Sequence, residues 1–223
     1  ADPSSINTQD KAAVENIVRE YLLENPEIIR EALILLQEKE DRASITNVAK
    51  ELRHDDRDYS VGPKDAKVTV VEFFDYNCGY CKKSTGWVAD LIKEHPNDVR
   101  IVFKELPILD RGTQTSRMAA ISALAAGRQG KYQDMHFALM DMKSISEQSV
   151  KAAAINLGLN MTQFEKDRKD PALGEQIEDA FYLASRIPGL TGTPFFVIND
   201  DFKASGDTVA LQRMLEKALE EAS

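Results

Sequence analysis

The feature that most constrains this chain is a pair of cysteines at the junction between a predicted strand and a predicted helix. Residues 68–74 are β-branched and aromatic apart from one acid, which is typical of a buried strand. A Cys-Gly-Tyr-Cys motif follows at 78–81, and residues 79–94 have the apolar spacing of a helix. Free amide groups at a helix N-terminus favour an anion, so Cys78 should ionise below the usual thiol pKa of ~8.5. We therefore predict Cys78 as the attacking thiol and Cys81, one turn later, as the resolving thiol.

No other cysteine occurs in the 223 residues, so a structural disulfide framework is excluded. Half of a zinc site is a competing interpretation of the motif, but tetrahedral zinc takes four ligands. The chain adds only His54, His95 and His136, none at a ligand spacing, and we expect these to be surface or packing residues. We predict no metal site and no cofactor, and we leave open the capture of copper by the dithiol.

A carboxylate stands in the middle of the apolar strand. Glu72 lies six residues before Cys78, with apolar pairs at 70–71 and 73–74 on either side. Burial of a carboxylate is costly and raises its pKa. We interpret Glu72 as the proton acceptor for the resolving thiol, the alternative being an edge position that faces water.

Charge and hydropathy exclude several classes of function. Lys plus Arg number 28 and Asp plus Glu 37, a net charge of −9 with no basic stretch, so we expect no nucleic-acid or anionic-membrane partner. Hydrophobic residues are 43% and charged residues 29%, a globular balance, and no run approaches the ~18 apolar residues of a membrane span. A signal peptide is absent from the chain or was removed from it, so the compartment is argued from chemistry.

The apolar periodicity divides the chain into a helical leader and a mixed α/β region. Residues 8–53 read as helix with a break at Asn25-Pro26, where Asn25 is expected to cap the second helix. A charged break at 54–58 sets the predicted boundary, with residues 1–57 as the leader and 58–223 as the main domain. After the first strand and helix we expect a strand at 99–106, a helical block at 112–187, strand 195–198, a hairpin turn at 199–201 and a final helix capped by Asp207.

The leader helices must bury their apolar faces somewhere. They either pack on the main domain or pair with copies of themselves as an oligomerisation stalk. The heptad pattern is imperfect, so the periodicity leaves both interpretations open. A polar stretch at 37–42 interrupts the pattern and is a candidate hinge.

Residues 59–223 resemble a DsbA-like thioredoxin-fold protein. The resemblance is carried by Val-Val-Glu-Phe-Phe-Asp-Tyr-Asn-Cys-Gly-Tyr-Cys-Lys at 70–82, Phe-Lys-Glu-Leu-Pro at 103–107 and Gly-Thr-Pro-Phe-Phe-Val at 192–197. It implies an α/β thioredoxin fold with an inserted helical subdomain at about 110–188, and it places Glu72 at the family's buried acidic position. It also implies a cis Thr193-Pro194 bond against the active-site disulfide, with substrate contacts at Thr193, Pro194, Gly79 and Tyr80.

The leader sequence Tyr-Leu-Leu-Glu-Asn-Pro-Glu-Ile-Ile at 21–29 resembles that of ScsC proteins, the suppressor-of-copper-sensitivity relatives of DsbA. In that group the N-terminal helices oligomerise the protein, and trimers are described. The resemblance implies an N-terminal α-helical oligomerisation segment and a homotrimer. The dipeptide Gly79-Tyr80 differs from the Pro-His of the best-known DsbA oxidases, which argues against strong oxidising power here.

These observations yield three hypotheses of function. The first is an oligomeric, periplasmic disulfide isomerase or reductase that acts on misoxidised or unfolded protein clients and is recycled by a DsbD-like membrane reductase. The second is a monomeric DsbA-type oxidase whose leader packs on the catalytic domain. The third is a copper-binding or holdase protein that uses its dithiol for capture. We favour the first, because an oligomer can hold a misfolded client by avidity.

Overall fold

A computed structural model of the chain describes residues 8–110 and 114–223. Residues 1–7 of the predicted leader and residues 111–113, where the predicted helical block begins, lie outside the described residues. The chain divides into two compact units, one ending at Ala43 and the other beginning at Ser44.

The first unit consists of helix α1 (Thr8–Glu24) and most of helix α2 (Glu27–Asn47). The predicted break at Asn25-Pro26 is confirmed, but the role predicted for Asn25 is wrong. Its side-chain amide donates to the Tyr21 carbonyl at 2.9 Å, so it closes the last turn of α1 instead of capping α2. Helix α2 is continuous through the polar stretch at 37–42, where Gln37 donates to Asp41 at 2.8 Å.

Apolar side chains of the first unit are exposed to solvent. Ile17 is 65% exposed, Leu23 is 70% exposed and Leu35 is 64% exposed. Solvated leucine and isoleucine on a helix gain none of the free energy of burial, roughly 1.5–3 kcal/mol per side chain. This surface therefore has a large free energy to gain from a partner.

The second unit is built on a sheet, for which the described residues provide five strands in the order β1-β3-β2-β4-β5. Strands β2 and β3 are parallel, and the remaining neighbours are antiparallel. Along the chain its elements are α3 (Ala49–Arg53), β1 (Ser60–Val61), β2 (Val68–Phe74), α4 (Gly79–Glu94), β3 (Val99–Glu105), α5 (Thr115–Gly127), α6 (Tyr132–Asp141), α7 (Glu147–Asn156), α8 (Met161–Asp167), α9 (Pro171–Ser185), β4 (Phe195–Ile198), β5 (Asp201–Lys203) and α10 (Thr208–Glu221).

Side chains along the central strands alternate between two cores. Val70 and Phe74 of β2 lie in the larger core with both cysteines, α4 and α10, and helices of the block between β3 and β4. Val71 and Phe73 lie in a smaller core on the opposite face of the sheet. This alternation follows from the two-residue period of a strand, and it explains why β2 is apolar almost throughout.

The smaller core places the start of the second unit earlier than the predicted boundary at 57/58. Ile45, Val48 and Leu52 are buried there together with Val71 and Phe73. The predicted leader pattern continued through these residues, but their apolar side chains cover a face of the sheet. The compact unit consequently begins at Ser44.

The predicted thioredoxin-type α/β fold is confirmed, with five helices between β3 and β4 in the described residues. The predicted N-cap at Asp207 forms, since its side chain accepts a backbone N–H group of α10. Asn160 and Asp170 cap α8 and α9 in the same way. Strand β1 was not predicted, because two residues carry no periodic signal. Among the described helices, none combines the length and apolar character needed to cross a bilayer.

Candidate active site

The two cysteines lie where the chain leaves β2 and enters α4. Cys78 is the N-cap of α4, and its Sγ accepts a hydrogen bond from the Cys81 N–H with 3.4 Å between nitrogen and sulfur. Both thiols are free, with 6% of Cys78 and 0% of Cys81 exposed. The helix start therefore presents one sulfur at the edge of the surface and shields the other, as the spacing predicts.

The surroundings separate the two thiols in acidity. Hydrogen bonds from the Cys81 thiol and N–H and from the Thr193 side chain lower the pKa of Cys78 to about 6, against the opposing effect of burial. Burial, the hydrogen bond to Cys78 and the charge of Glu72 raise the pKa of Cys81 far above its usual range. At neutral pH the first sulfur is a nucleophile, and the second requires a base.

Glu72 lies at the centre of the sheet, paired with Phe103 of β3 on one side and Phe196 of β4 on the other. The alternative of an edge position is therefore excluded. The side chain is 1% exposed, and its Oε1 has no hydrogen-bond partner among the described residues. Burial, followed by the charges of Cys78 and Glu105, raises the pKa of Glu72 to about 8. A carboxyl in this state can take up or release a proton close to neutral pH.

The Thr193–Pro194 peptide bond is cis, as the resemblance implies, and it lies against the N-terminus of α4. In the thiol form, Cys78 Sγ donates to the Thr193 carbonyl at 3.2 Å. A Cβ atom added to Gly206 would stand 3.0 Å from the Tyr80 carbonyl oxygen and 3.5 Å from Pro194 Cγ. Gly206, which the sequence analysis did not single out, therefore allows the loop after β5 to approach the active site closely.

A groove of about 650 Å³ opens beside Cys78. Gly79, Tyr80 and Thr193 line it, so the structure brings these predicted contact residues together. Tyr80 is 67% exposed, and a Cβ atom on Gly79 would meet nothing within 4 Å. The other walls are mainly apolar and include Leu106, Ile108, Leu109, Phe181, Ala184 and Leu190.

Asp75 anchors the loop that carries Cys78, a role that was not predicted from the sequence. Its carboxylate accepts the Asn77 N–H at 2.7 Å, the Leu109 N–H at 2.9 Å and the Ser116 hydroxyl at 2.8 Å. These bonds tie the active-site loop to the β3–α5 connection and to the start of α5. The acid next to the motif was visible in the sequence, but its partners lie 34 and 41 positions away.

Glu105, at the end of β3, is a second buried acid, and the sequence alone predicted no role for it. Its Oε1 accepts the hydroxyl groups of Tyr76 at 2.9 Å and Tyr132 at 2.7 Å. The Tyr76 oxygen also contacts His136 Nδ1 at 3.2 Å, so the predicted packing role of His136 includes a polar contact. The sequence offered one signal for this role. Glu105 stands two positions after Phe103, an apolar residue of the same predicted strand, so the two side chains share one face of it. In the parts of the chain that the structure describes, no group of three or more His, Cys, Asp or Glu residues is arranged to hold a metal ion.

The sequence matches the DSBA-like thioredoxin domain family over residues 69–220, more than half of the chain. Residues 10–43 match the family described as the copper resistance protein ScsC N-terminal domain. Among curated proteins, the Na(+)/H(+) antiporter NhaA of Herminiimonas arsenicoxydans is 32% identical over 162 residues, which are 71% of this chain and 25% of the antiporter. The chain thus spans about a quarter of the length of the curated relatives it matches.

Two solved structures illustrate the structural similarity. A thioredoxin-like oxidoreductase from Silicibacter pomeroyi DSS-3 is 36% identical, with a TM-score of 0.70 over 77% of this chain and 97% of that one. Proteus mirabilis ScsC in a transitional conformation is 26% identical, with a TM-score of 0.70 over 98% of this chain and 99% of that one. The chain therefore belongs to the DSBA-like thioredoxin domain family, and its N-terminal segment matches the ScsC N-terminal domain.

Proposed function

We propose that this chain is an oligomeric disulfide isomerase or reductase, a homotrimer, that acts through the Cys78–Cys81 dithiol on misoxidised or unfolded proteins. The observation that carries the proposal is the exposed apolar surface of α1 and α2, which a second and third copy of the same helices would cover. Several catalytic units held together would present several thiols to one client, which raises the effective concentration of each.

The exchange begins with the Cys78 thiolate. It attacks one sulfur of a non-native client disulfide, forms a mixed disulfide and releases the other client sulfur as a thiolate. In isomerisation, a client thiolate attacks the client's sulfur in the mixed disulfide, which forms a new client disulfide and returns the Cys78 thiolate. In reduction, the Cys81 thiol gives its proton to Glu72 and its sulfur attacks Cys78, which releases the reduced client and leaves the Cys78–Cys81 disulfide.

The remaining site residues would hold the client. The Thr193 carbonyl lies 3.2 Å from Cys78 Sγ, where an extended client segment beside its cysteine would need a backbone partner. Pro194, Gly79 and Tyr80 would line that segment, and the adjoining groove would accept apolar side chains.

Disulfide exchange on clients requires a compartment in which disulfides persist, so we place the protein in the periplasm.

Each reductive cycle consumes the dithiol, and we assign its recovery to a DsbD-like membrane reductase. Purified protein in its disulfide form should be reduced rapidly by such a partner and slowly by buffer glutathione. Equal rates with both reductants would contradict this assignment.

A monomeric oxidase is the second candidate, and the lowered pKa of Cys78 favours it. A thiolate that is stabilised in the reduced protein makes the corresponding disulfide a stronger oxidant.

Copper binding is a third candidate, because two adjacent thiols are soft ligands suited to Cu(I). Stoichiometric Cu(I) uptake by a protein without thiol–disulfide turnover, lost in Cys81→Ser, would favour that third function.

Reactivation of scrambled, fully oxidised ribonuclease by the full chain in a glutathione buffer tests the proposal. Recovery well above the buffer blank, absent in Cys78→Ser, is expected of an isomerase. A parallel sample of reduced ribonuclease measures oxidation. Little recovery from the scrambled substrate together with efficient oxidation of the reduced one would make the protein an oxidase.

A further inference from the structure

Two buried acids face the same side of the sheet. Glu72 of β2 pairs with Phe103 of β3, and Phe74 of β2 pairs with Glu105 of β3. Because residues two apart along a strand share a face, the side chains of Glu72 and Glu105 are diagonal neighbours across the two strands. Phe74 and Phe103 belong to the core that contains Cys81, so both acids project into the core beneath the active site.

Neither carboxyl group is neutralised by a cation. Glu72 is 1% exposed and Glu105 is 4% exposed, and within residues 8–110 and 114–223 neither forms an ion pair. Glu72 Oε1 and Glu105 Oε2 are both buried without a hydrogen-bond partner among the described residues. Two such groups in a medium of low polarity strongly disfavour each other's ionisation.

The groups around Glu105 add no positive charge. Its Oε1 takes the hydroxyl protons of Tyr76 and Tyr132, so His136 Nδ1 must supply the proton in its contact with Tyr76. His136 is neutral, because burial lowers its pKa to about 3. Asp58 and Asp75 also act on Glu105, and Asp58 is itself paired with the buried Lys104. Cys78 and Cys81 interact with Glu72.

We propose that Glu105 is a positioning residue that acts through Glu72: the ionised Glu105 carboxylate opposes ionisation of Glu72 and thereby sets the pH at which Glu72 accepts the Cys81 proton. The inference rests on the role of Glu72 in the proposed function. It applies equally to an isomerase, a reductase or an oxidase, since Cys81 must lose its proton in each whenever it closes the disulfide. Burial raises the pKa of both acids to about 8, which places this competition near neutral pH.

The affected step is the resolution of the mixed disulfide. The Cys81 thiol transfers its proton to the Glu72 carboxylate, and the Cys81 sulfur forms a bond to Cys78 Sγ. The bond from Cys78 to the client sulfur breaks, and that sulfur leaves as a thiolate. Glu105 exchanges no proton with sulfur in this step; its charge decides whether Glu72 is ionised beforehand.

Stopped-flow reaction of the reduced full chain with excess dithiobis-nitrobenzoate isolates this step. The first coloured thiolate is released when Cys78 forms the mixed disulfide, and the second when Cys81 resolves it. The rate of the second phase, followed against pH, gives an acid limb that reports the ionisation of Glu72. Glu105→Gln keeps an oxygen to accept from both tyrosines, removes the charge and replaces the unpartnered Oε2 by an amide NH2 group.

We expect the acid limb of Glu105→Gln to lie about 0.5 to 1 pH unit below that of the parent protein. In a Glu72→Gln background, where the parent limb should be lost, adding Glu105→Gln should cause no further change. If Glu105 had a purely structural role, Glu105→Gln would change the rate of the second phase equally in the parent protein and in Glu72→Gln. Asp167→Asn is the matched control, since Asp167 is a buried acid of α8 that bonds Gln163 and Arg128, and its limb should stay at the parent position.

Two results would overturn the inference, and they are distinguishable. A shift of less than about 0.2 pH unit in Glu105→Gln, with the limb still abolished by Glu72→Gln, refutes the role of Glu105 and leaves that of Glu72 intact. A limb that survives Glu72→Gln refutes the role of Glu72 and the inference with it. Tyr132→Phe provides a second variant if Glu105→Gln does not fold: loss of one bond to the carboxylate makes Glu105 ionise less readily, which should move the limb in the same direction by a smaller amount.

Discussion

At the scale of single residues, the acidity of the two thiols depends on which of them donates a hydrogen bond. The Cys81 thiol is the largest cause of the lowered pKa of Cys78. We expect Cys81→Ala to raise the pKa of Cys78 by about one unit, because the donor is lost. Cys81→Ser keeps a donor and is the matched control. Thiolate absorbance in the ultraviolet, titrated against pH, measures both, and identical midpoints in the two variants would contradict the assignment.

Glu72 links protonation to stability. Its pKa is about 8 in the folded chain against 4.5 for the free group, so the folded state binds the proton more tightly. The stabilisation is complete below pH ~4.5 and is lost as the pH rises through about 8. In Glu72→Gln this loss is absent, and we expect the variant to gain about 2–4 kcal/mol relative to the parent between pH 5 and 8.

Urea unfolding of the reduced proteins at several pH values tests this expectation, followed by the fluorescence of Trp87, the single tryptophan. Thiol ionisation affects the parent and Glu72→Gln similarly, so it largely cancels when the unfolding free energies of the two proteins are subtracted. If the difference in unfolding free energy between Glu72→Gln and the parent is constant from about pH 5 to 8, Glu72 is ionised in the folded parent throughout that range.

Residue-level predictions from the sequence succeeded where the role of a side chain depends on residues close to it in the sequence. The burial predicted for Glu72 follows from the apolar residues on either side of it, and the placement of Cys78 follows from the strand and helix that meet there. Asp75 and Glu105 were not identified, because their roles depend on Ser116 and Tyr132, which only folding brings to them.

At the scale of elements, the short helix α3 belongs to the second unit. Leu52 is 0% exposed in the smaller core, beside Val71 and Phe73. We expect Leu52→Ala to lower the unfolding free energy of this unit by about 2–4 kcal/mol, the cost of a cavity in a packed core. Ile155→Ala, at a position of α7 that is 61% exposed, is the control and should change it by less than about 0.5 kcal/mol.

Denaturant unfolding monitored at Trp87 measures both variants, because this residue lies in α4 of the second unit. A Leu52→Ala protein as stable as the control would show that the segment before β1 contributes nothing to the core. The sequence pattern alone did not decide this point, since Ile45, Val48 and Leu52 continue the helical spacing of the leader.

At the scale of the whole molecule, the proposed oligomer depends on exposed apolar side chains of the first unit. The double variant Ile17→Glu and Leu35→Glu places charges where two highly exposed apolar residues lie. We expect light scattering to give a multiple of 24.9 kDa for the parent and 24.9 kDa for the variant. Recovery of scrambled ribonuclease should fall several-fold, whereas oxidation of reduced ribonuclease should persist.

Ile155→Glu is the matched control for that experiment, because Ile155 is also apolar and 61% exposed but lies in α7 of the second unit. It should keep the mass and the activity of the parent. A parent protein that already has the mass of one chain would refute the oligomer and would favour the monomeric oxidase.

By itself, the sequence determined several central elements of the second unit and the chemical character of the cysteine pair at its centre. Strands β2 and β4 and helix α4 have the predicted bounds, because their apolar periods and caps are local properties of the chain. Tertiary structure alone decided that Ile45 to Leu52 cover the sheet, that Asp75 fixes the active-site loop and that Glu105 lies on the same face as Glu72. Each of these depends on strand register or on partners distant in sequence, which no local period encodes.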